Sequence, residues 1–342
     1  MTGDLKIGIV GVGAIGTVFA LLLKDKGYDI EITKKSTMGL MIDNCVNLEI
    51  NGAFGDRSYL VPYMEKNKFS SKKDVLFVLT KSYSVESAYN DVKEFLSPNG
   101  VVVTIQNVLN YDKLISVFPK DRFVPLVIDF NAVRVDENHV DVLKAGEIHV
   151  GAVTPKSEVY IPFLKEILSC ISEVKVEENM PAFIVSRFML SNTISSVCAI
   201  TGYNLGKTLQ YKTAKKLFIG LISEDIEVFK AEGLKILPYN DVFDYEQFVD
   251  KSWAGIRYRS KMFSRLIKQN GEMVSSTLRA LENKKPTELD SMCARVVEIA
   301  HRHDLKVPYN EAVATFLQEV ENGTQGIYIE NLENEMFKNL EI

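Results

Sequence analysis

The sequence predicts an α/β domain built on a doubly wound, mostly parallel sheet, followed by an all-helical domain. Three observations lead there. Short runs rich in Val, Ile, Leu and Phe alternate with helical patterns through the first half of the chain. Beyond position 178 the strand signal stops and helical periodicity takes over. The 342 residues also suffice for two domains. The expected division is residues 1–177 for the α/β domain and 178–342 for the helical one.

The first apolar run, Leu5 to Val10, ends directly in Gly11-Val12-Gly13-Ala14-Ile15-Gly16, and a helix-forming stretch, Thr17 to Leu23, follows. A G-x-G-x-x-G between a strand and a helix is the context in which this motif holds a dinucleotide. Gly11 makes the tight turn, Gly13 lets the backbone approach a pyrophosphate, and Gly16 lets the helix pack closely on the strand. The start of the helix offers its N–H groups to the phosphates. Alone the motif is weak; its flanks favour a dinucleotide site over a merely structural turn.

Further strands are expected at 29–33, 74–80, 100–105, 122–128, 147–151 and 173–177, and helices at 14–26, 84–96, 111–117 and 158–171. Val75-Leu76-Phe77-Val78-Leu79 is apolar throughout, as in a parallel strand covered on both faces. Asn51-Gly52 reads as a two-residue hairpin turn. In the second half helices are expected at 181–200, 209–232, 241–249, 257–268, 272–283, 287–304 and 308–320, with Pro181 in a first turn. Gly206-Lys207-Thr208 imitates a phosphate loop, but Gly202 stands one residue too close, so a plain loop is expected there.

Hydrophobic residues make up 46% and charged residues 25%, which places the chain among ordinary globular proteins. A net charge of −5 with no basic block argues against nucleic acid and for a small-molecule partner. Cys45, Cys170, Cys198 and Cys293 are too scattered for a zinc site or a disulfide framework. No metal is therefore expected, and a cytoplasmic location suits reduced thiols. No signal peptide is expected ahead of the first strand, and no uninterrupted apolar run reaches the roughly 18 residues of a membrane span. No membrane partner is expected; a homodimer through the helical domain is compatible with the pattern.

The second strand bears on which dinucleotide fits. A carboxylate at its end holds the ribose 2′-OH of NAD. Here Asp29-Ile30-Glu31-Ile32-Thr33 turns Ile30 and Ile32 inward, and the strand end falls at Thr33 or Lys34, followed by Lys35. Glu31 sits earlier and should point elsewhere. Two cations suit a 2′-phosphate, each as a point charge, so NADP(H) is favoured over the plainer reading of a solvated lysine pair.

In the helical half, Ala182 to Ile200 is mostly apolar but is interrupted by Arg187, Ser191 and Ser195. The spacing i, i+4, i+8 puts these three on one helical face. Polar groups in an apolar helix need partners. An anionic substrate between the domains and an acid across the domain interface serve equally well for Arg187. A second polar group lies at Ser275-Ser276-Thr277 and Pro286-Thr287-Glu288, where Thr287 can cap a helix and Glu288 suits its first turn. Glu288 alone reads more simply as structural. Lys81 follows strand 74–80 and reads equally as a charged strand end. Gln106-Asn107 follows strand 100–105, at the carboxyl edge where such sheets bind ligands.

Together these pieces resemble the ketopantoate reductase (2-dehydropantoate 2-reductase) family over nearly the whole chain. Gly11 to Gly16 matches the family's GxGAxG, and Lys35 its basic residue near the 2′-phosphate. Thr80-Lys81 matches a cofactor-contacting Lys after the fourth strand, and Gln106-Asn107 a QNG motif whose Asn binds cofactor and substrate. Ser275-Ser276-Thr277-Leu278 with Pro286-Thr287-Glu288-Leu289-Asp290 matches the C-terminal SSM…TEID signature, the most specific of these. There Ser276 would touch substrate, and Glu288 would support the cleft and contact the cofactor. His303 to Pro308 is similar to the family's A-x-x-x-G-I-x-x-P segment. The resemblance implies a Rossmann domain that binds NADP(H) and a helical substrate-binding and dimerisation domain, in the 6-phosphogluconate-dehydrogenase-like arrangement. It also implies reduction of ketopantoate to pantoate, in pantothenate biosynthesis.

The family's helix carries a Lys, held to be the general acid, and an Asn four residues later; here those slots are Arg187 and Ser191, and a further Asn slot is Ser195. The glycine of QNG is Val108. Ketone reduction needs a hydride, a proton for the nascent alkoxide, and positive charge near that oxygen and a carboxylate. Arg supplies charge and a bidentate fork but holds its proton too tightly to give it up. Arg187 is thus expected to orient a 2-keto acid, with the proton coming through Glu288 or water. Ser191 and Ser195 would widen the pocket for a bulkier acid than ketopantoate. A D-2-hydroxyacid or opine-type dehydrogenase, and a non-catalytic NADP(H)-binding protein, stand as alternatives.

Overall fold

A computed structural model describes residues 5–34, 42–66, 68–105, 111–240 and 242–340. The described chain divides into two compact units, one up to Met180 and one from Pro181 onward.

The first unit is an α/β fold. Its strands are β1 (Lys6–Val10), β2 (Asp29–Lys34), β3 (Cys45–Gly52), β4 (Arg57–Glu65), β5 (Lys73–Val78), β6 (Leu96–Ile105), β7 (Phe123–Ile128), β8 (Asn131–Arg134), β9 (His139–Lys144), β10 (Ile148–Val150) and β11 (Val174–Val176). Its helices are α1 (Ala14–Asp25), α2 (Val85–Val92), α3 (Tyr111–Val117) and α4 (Ile161–Leu168). The strands form one sheet in the order β11-β10-β7-β6-β5-β1-β2-β4-β3-β9-β8. From β7 to β4 all neighbours are parallel. The parallel strands run continuously apolar because helices cover both faces. Ile7, Ile9, Val75, Phe77, Val101 and Val103 all have no exposed surface.

β1 pairs with β2 on one side and β5 on the other. That is the switch point of a doubly wound sheet, where ligands bind beyond the carboxyl ends of the strands. α1 buries Gly16 to Leu23 against the sheet, with Phe19 edge-on to Phe77 at 5.3 Å between ring centroids. Truncating Phe19 to Ala should cost about 3–5 kcal/mol. α1 ends because Gly27, at φ +82°, takes the left-handed turn, with Gly27 N–H donating to Lys24 and Tyr28 N–H to Leu23.

Four strands depart from the expected pattern. β3 and β4 form a hairpin, but Asn51-Gly52 is not its turn: Ile50 pairs with Arg57, and Asn51 and Gly52 pair on with Asp141 and Val142 of β9. The connection is longer, closed by Gly55 N–H donating to Gly52 O. β8 and β9 extend this edge. Each is half-exposed, so it lacks the apolar run that marks the buried strands.

The second unit is helical: α5 (Met180–Thr201), α6 (Leu205–Thr208), α7 (Lys212–Ala231), α8 (Tyr245–Val249), α9 (Trp253–Asn270), α10 (Ser276–Glu282), α11 (Cys293–Arg302), α12 (Pro308–Glu321) and α13 (Glu335–Lys338). Gly206-Lys207-Thr208 belongs to the short helix α6 rather than to a loop, because Asn204 caps it by accepting from Lys207 N–H. The expected helix 287–304 breaks at Met292, whose φ/ψ of −117°/−127° is not helical; a 3-10 turn, Leu289–Ser291, precedes α11.

α5 is long and apolar enough to cross a membrane by length and composition, with a mean hydropathy of 1.4, yet 83% of that stretch is buried inside the protein. Val197, Ala199 and Ile200 pack with Leu217 and Leu221 of α7 and Phe316 and Leu317 of α12. α7 and α12 are also joined through a buried carboxylate. Glu224 accepts from the N–H groups of Tyr309 and Asn310 at 2.7 and 2.8 Å and from Asn310 Nδ2 at 2.9 Å. Burial nevertheless pushes the Glu224 pKa up to about 7, and pushes that of neighbouring Asp225 well above the carboxylate range.

Candidate functional site

The glycine motif builds the first group of candidate residues. Gly11 follows β1 at φ +93°, a conformation that side chains rarely tolerate. A Cβ on Gly11 would lie 2.8 Å from Thr80, so the segment after β5 packs directly on the glycine turn. Leu79 N–H donates to Val10 O at 2.8 Å and holds it there. A Cβ on Gly16 would lie 2.2 Å from the Gly11 carbonyl oxygen, which leaves no room for any side chain. Gly13 differs: nothing lies within 4 Å of its would-be Cβ. It is the N-cap of α1, no side chain caps that helix, and the first turn carries no acid. An open approach to an uncapped helix start suits a pyrophosphate.

A buried orphan sits beside the turn. Thr80 Oγ1 is inaccessible and has no hydrogen-bond partner among the described residues. A lone buried hydroxyl costs stability until a ligand satisfies it. The sequence drew notice to Lys81, not to Thr80. Lys81 is exposed and precedes the 3-10 turn Ser82–Ser84. These residues fit a dinucleotide: a bare helix start, an open Gly13 and an unsatisfied hydroxyl at one sheet edge.

At the end of β2, Thr33 is spent on the fold: it donates to Met64 O at 2.6 Å and accepts from Lys68 N–H at 3.2 Å. Glu31 points away from the strand end, pairing with buried Lys73 at 2.6 Å and accepting from Ser70. Lys34 closes β2 with its ammonium 3.3 Å from Glu137 Oε1. Lys35, Gln106 and Asn107, with Val108, lie outside the described residues.

A second group of candidate residues lies in the helical unit. From Ala182 to Ile200 every residue of α5 is buried except Arg187, Ser191 and Ser195. The interrupted stripe is thus the one partly solvent-accessible line of the helix. It spans about 12 Å from Arg187 to Ser195 at 1.5 Å per residue. Arg187 lies under the Tyr239 ring, Cζ 5.5 Å from its centroid. Phe183, one turn earlier on α5, is 6.2 Å from the same ring. Ser186 anchors the loop that brings Tyr239: its Oγ accepts from Leu237 N–H at 2.8 Å, and Tyr245 Oη donates to its carbonyl. Burial drives the Tyr245 phenol well above its ordinary range, and the Arg187 charge draws it back.

Ser276 is brought to the other end of the stripe. Buried Ser275 caps α10 by accepting from Leu278 N–H at 3.1 Å, and its hydroxyl donates to Ser195 O at 3.3 Å. Ser276, exposed, opens α10 beside that bond. Glu288 takes the N-cap position of the 3-10 turn instead of a helical first turn, which Asp290 supplies. Thr287 fixes that backbone by donating to Glu321 Oε2 and accepting from Leu289 N–H, at 2.9 and 3.2 Å. Leu289 in turn packs in one cluster with Val197 and Ile200 of α5. Tyr239 is the member that sequence reasoning missed, because it comes from an irregular loop with no periodicity to mark it. Among the described residues no group of His, Cys, Asp and Glu could hold a metal ion.

Two family models match the chain: "Ketopantoate reductase PanE/ApbA" over residues 7–155 and "Ketopantoate reductase PanE/ApbA C terminal" over residues 179–321. A 2-dehydropantoate 2-reductase of Aquifex aeolicus is 22% identical over 323 residues, covering 92% of this chain and 96% of that protein. Among solved structures, a D-mandelate dehydrogenase with NADH and anilino(oxo)acetate has a TM-score of 0.78 at 17% identity, covering 93% of this chain and 99% of its own. A dimeric ketopantoate reductase of Staphylococcus aureus has a TM-score of 0.72 at 13% identity, covering 94% of this chain and all of its own. At those identities the two structures share the fold.

Proposed function

The chain belongs to the ketopantoate reductase family, and we propose that it reduces a 2-keto acid to the 2-hydroxy acid with NADPH. The accessible stripe Arg187, Ser191, Ser195 on an otherwise buried helix carries this reading. A planar guanidinium backed by an aromatic ring is suited to grip a carboxylate or a polarised carbonyl. The bound nicotinamide supplies the hydride. Gly13 and the first turn of α1 bind its pyrophosphate, with Thr80 and Lys81 alongside. Lys34 and Lys35 receive the 2′-phosphate.

Arg187 stabilises the oxygen on which charge develops, and the hydroxyls of Ser191, Ser195 and Ser276 orient the substrate. Arginine keeps its proton at working pH, so the alkoxide takes its proton through Glu288 or from water. Asn107 completes the contacts to substrate and cofactor. The protein works in the cytoplasm, a reading its four free cysteines support. Two copies associate through the helical unit.

A second reading has an observation of its own. Phe183 and Tyr239 set two rings at the Arg187 end of the stripe, and serines leave space beside it. That favours a bulky or aryl-bearing 2-keto acid, hence a D-2-hydroxyacid dehydrogenase. NADPH consumption over a panel of 2-keto acids tests both. Turnover of ketopantoate supports the first, and turnover confined to bulkier acids the second. Cofactor binding with no turnover of any would overturn both in favour of an NADP(H)-binding protein without catalysis.

A further inference from the structure

We propose that α9 docks the helical unit onto an anionic lipid surface, lying flat with Trp253 in the headgroup layer and its cations on the lipid phosphates. The helix is about 27 Å long at 1.5 Å per residue and is fixed in place. Ser252 caps it by accepting from Gly255 N–H at 3.2 Å, and buried Met262, Phe263 and Leu266 anchor its inner side. Trp253, Ile256, Ser260, Ser264 and Ile267 follow one another at i, i+3, i+7, i+11 and i+14, which makes them a single outer line. Trp253, the only tryptophan in the chain, is 74% exposed, Ile256 51% and Ile267 37%. Ser260 and Ser264 turn their hydroxyls back onto the helix, donating at 3.0 Å to the carbonyls of Ile256 and Ser260. The line therefore asks little of water along its whole length.

Cations run along both flanks of that line. Arg257, Lys261, Arg265 and Lys268, all exposed, follow one side at i, i+4, i+8 and i+11. On the other side, Lys215 of α7 lies over the Phe263 ring at 5.7 Å. Lys207 of α6 stands at the far end, where Gly206 N–H donates to Gly271 O at 2.8 Å. Residues 201–223 and 251–271 hold no Asp or Glu, in a chain of net charge −5. What touches these cations is neutral. Arg257 lies over the indole at 5.5 Å, Lys207 over the Tyr203 ring at 3.3 Å, and Arg265 donates to Gln269 at 3.3 Å. The acids that bound the second segment are engaged elsewhere, Asp250 with Ser252 N–H and Glu272 with Asn204.

The make-up of the face selects among anionic partners. Lysine supplies most of its charge; lysine is depleted where proteins meet, whereas a bilayer surface attracts it as a point charge. A nucleic acid would stack on open rings, but Arg257 covers one face of the indole, and Ile256 and Ile267 offer a polyanion nothing. A tryptophan and two isoleucines between rows of cations match the headgroup layer, where indoles settle and apolar side chains reach the acyl boundary.

Flotation of the full-length protein with lipid vesicles tests this. The protein should bind vesicles of phosphatidylcholine and phosphatidylglycerol in equal parts but not phosphatidylcholine alone, and added salt should release it. The sole tryptophan reports on the contact: on binding, its emission should shift to the blue and acrylamide quenching should fall. Trp253→Ala should weaken binding about tenfold, and Lys261→Gln with Lys268→Gln about thirtyfold, each variant melting as the native protein does. Failure to float with the mixed vesicles, or equal binding to both kinds, overturns the proposal. So does binding that leaves Trp emission red or survives both variants, because the contact then lies elsewhere. Blue emission without vesicles, together with a mass above the monomer that Trp253→Ala lowers, would mean that a second copy covers the face, and overturns it too. Binding to a single-stranded oligonucleotide in preference to the vesicles does the same.

Discussion

The two groups of candidate residues, one in each unit, are made of different materials. In the sheet unit the cofactor edge is defined by what the backbone allows: an open Gly13, a closed Gly16, a left-handed Gly11. In the helical unit the stripe on α5 is defined by three side chains on a regular backbone that any residue could adopt. Backbone requirements tolerate few alternatives, and the glycine motif keeps the family's GxGAxG. Side chains on a helix can be exchanged without refolding anything, and that is where this chain departs, with Arg187, Ser191 and Ser195 in place of Lys and two Asn.

The largest expected effect breaks the contrast from the side-chain group. Arg187→Ala should lower turnover by about 10²–10³-fold, the loss of one donor aimed at developing charge, while NADPH affinity barely moves. Arg187→Lys should keep or raise activity on ketopantoate, since it restores a group that can release a proton. Steady-state kinetics beside a cofactor titration separates the two. Equal losses of turnover and cofactor affinity would mean that the groups are not distinct.

Next come two glycines of one motif. Gly13→Val should leave the melting temperature unchanged and abolish NADPH binding, because its side chain occupies open space. Gly16→Val should instead lower the melting temperature, because its Cβ meets the Gly11 carbonyl at 2.2 Å. Calorimetric titration and thermal melts on both variants would show whether one motif holds a functional glycine and a structural one.

Buried charge sharpens the comparison further. In the sheet unit Glu31 has Lys73 as its counter-ion at 2.6 Å. In the helical unit Glu224 has only neutral donors, and burial raises its pKa from 4.5 to about 7. The folded state therefore holds this proton more tightly than the unfolded chain. The stability it contributes is complete below about pH 4.5 and is lost as pH rises through about 7. At 1.36 kcal/mol per pH unit this amounts to about 3 kcal/mol. Urea unfolding at pH 5 and pH 8 should show that fall, and Glu224→Gln should reduce it, with buried Asp225 keeping a share of its own. An unchanged slope in the variant would assign the fall elsewhere.

The smallest effect concerns Lys34. Its exposed pair with Glu137 is worth at most about 1 kcal/mol. Glu137→Gln should free the ammonium and raise the preference for NADPH over NADH a few-fold. No change would leave the 2′-phosphate to Lys35.

The sequence made some of this legible and hid the rest, for physical reasons. Fully buried strands such as β1, β5 and β7 announce themselves as apolar runs, and the glycine turn follows from its flanks. β8 and β9 were hidden because only alternate residues, such as Val140 and Val142, face inward. Asn51-Gly52 misled because Gly52 is needed for close approach to Val142 O, not for a turn. In the helical unit, periodicity placed Arg187, Ser191 and Ser195 on one line, but not Tyr239 over Arg187. That contact depends on Ser186 catching a distant loop, and no local pattern encodes a partner 51 residues away.

α5 carries a consequence for how the chain is made. Its 22 residues, mostly apolar, leave the ribosome before the helices that cover them. Phe316 and Leu317 of α12, which pack on its last turns, follow more than a hundred residues later. At about 5–20 residues per second, α5 waits about 6–20 s for that part of its cover, with α7 alone arriving earlier. A greasy segment of membrane-spanning length is then open to chaperones, to targeting factors and to other nascent chains. The helical unit thus completes its folding only after α12 has been made, and a chain stopped before position 308 should be captured or aggregate while its sheet unit is already formed.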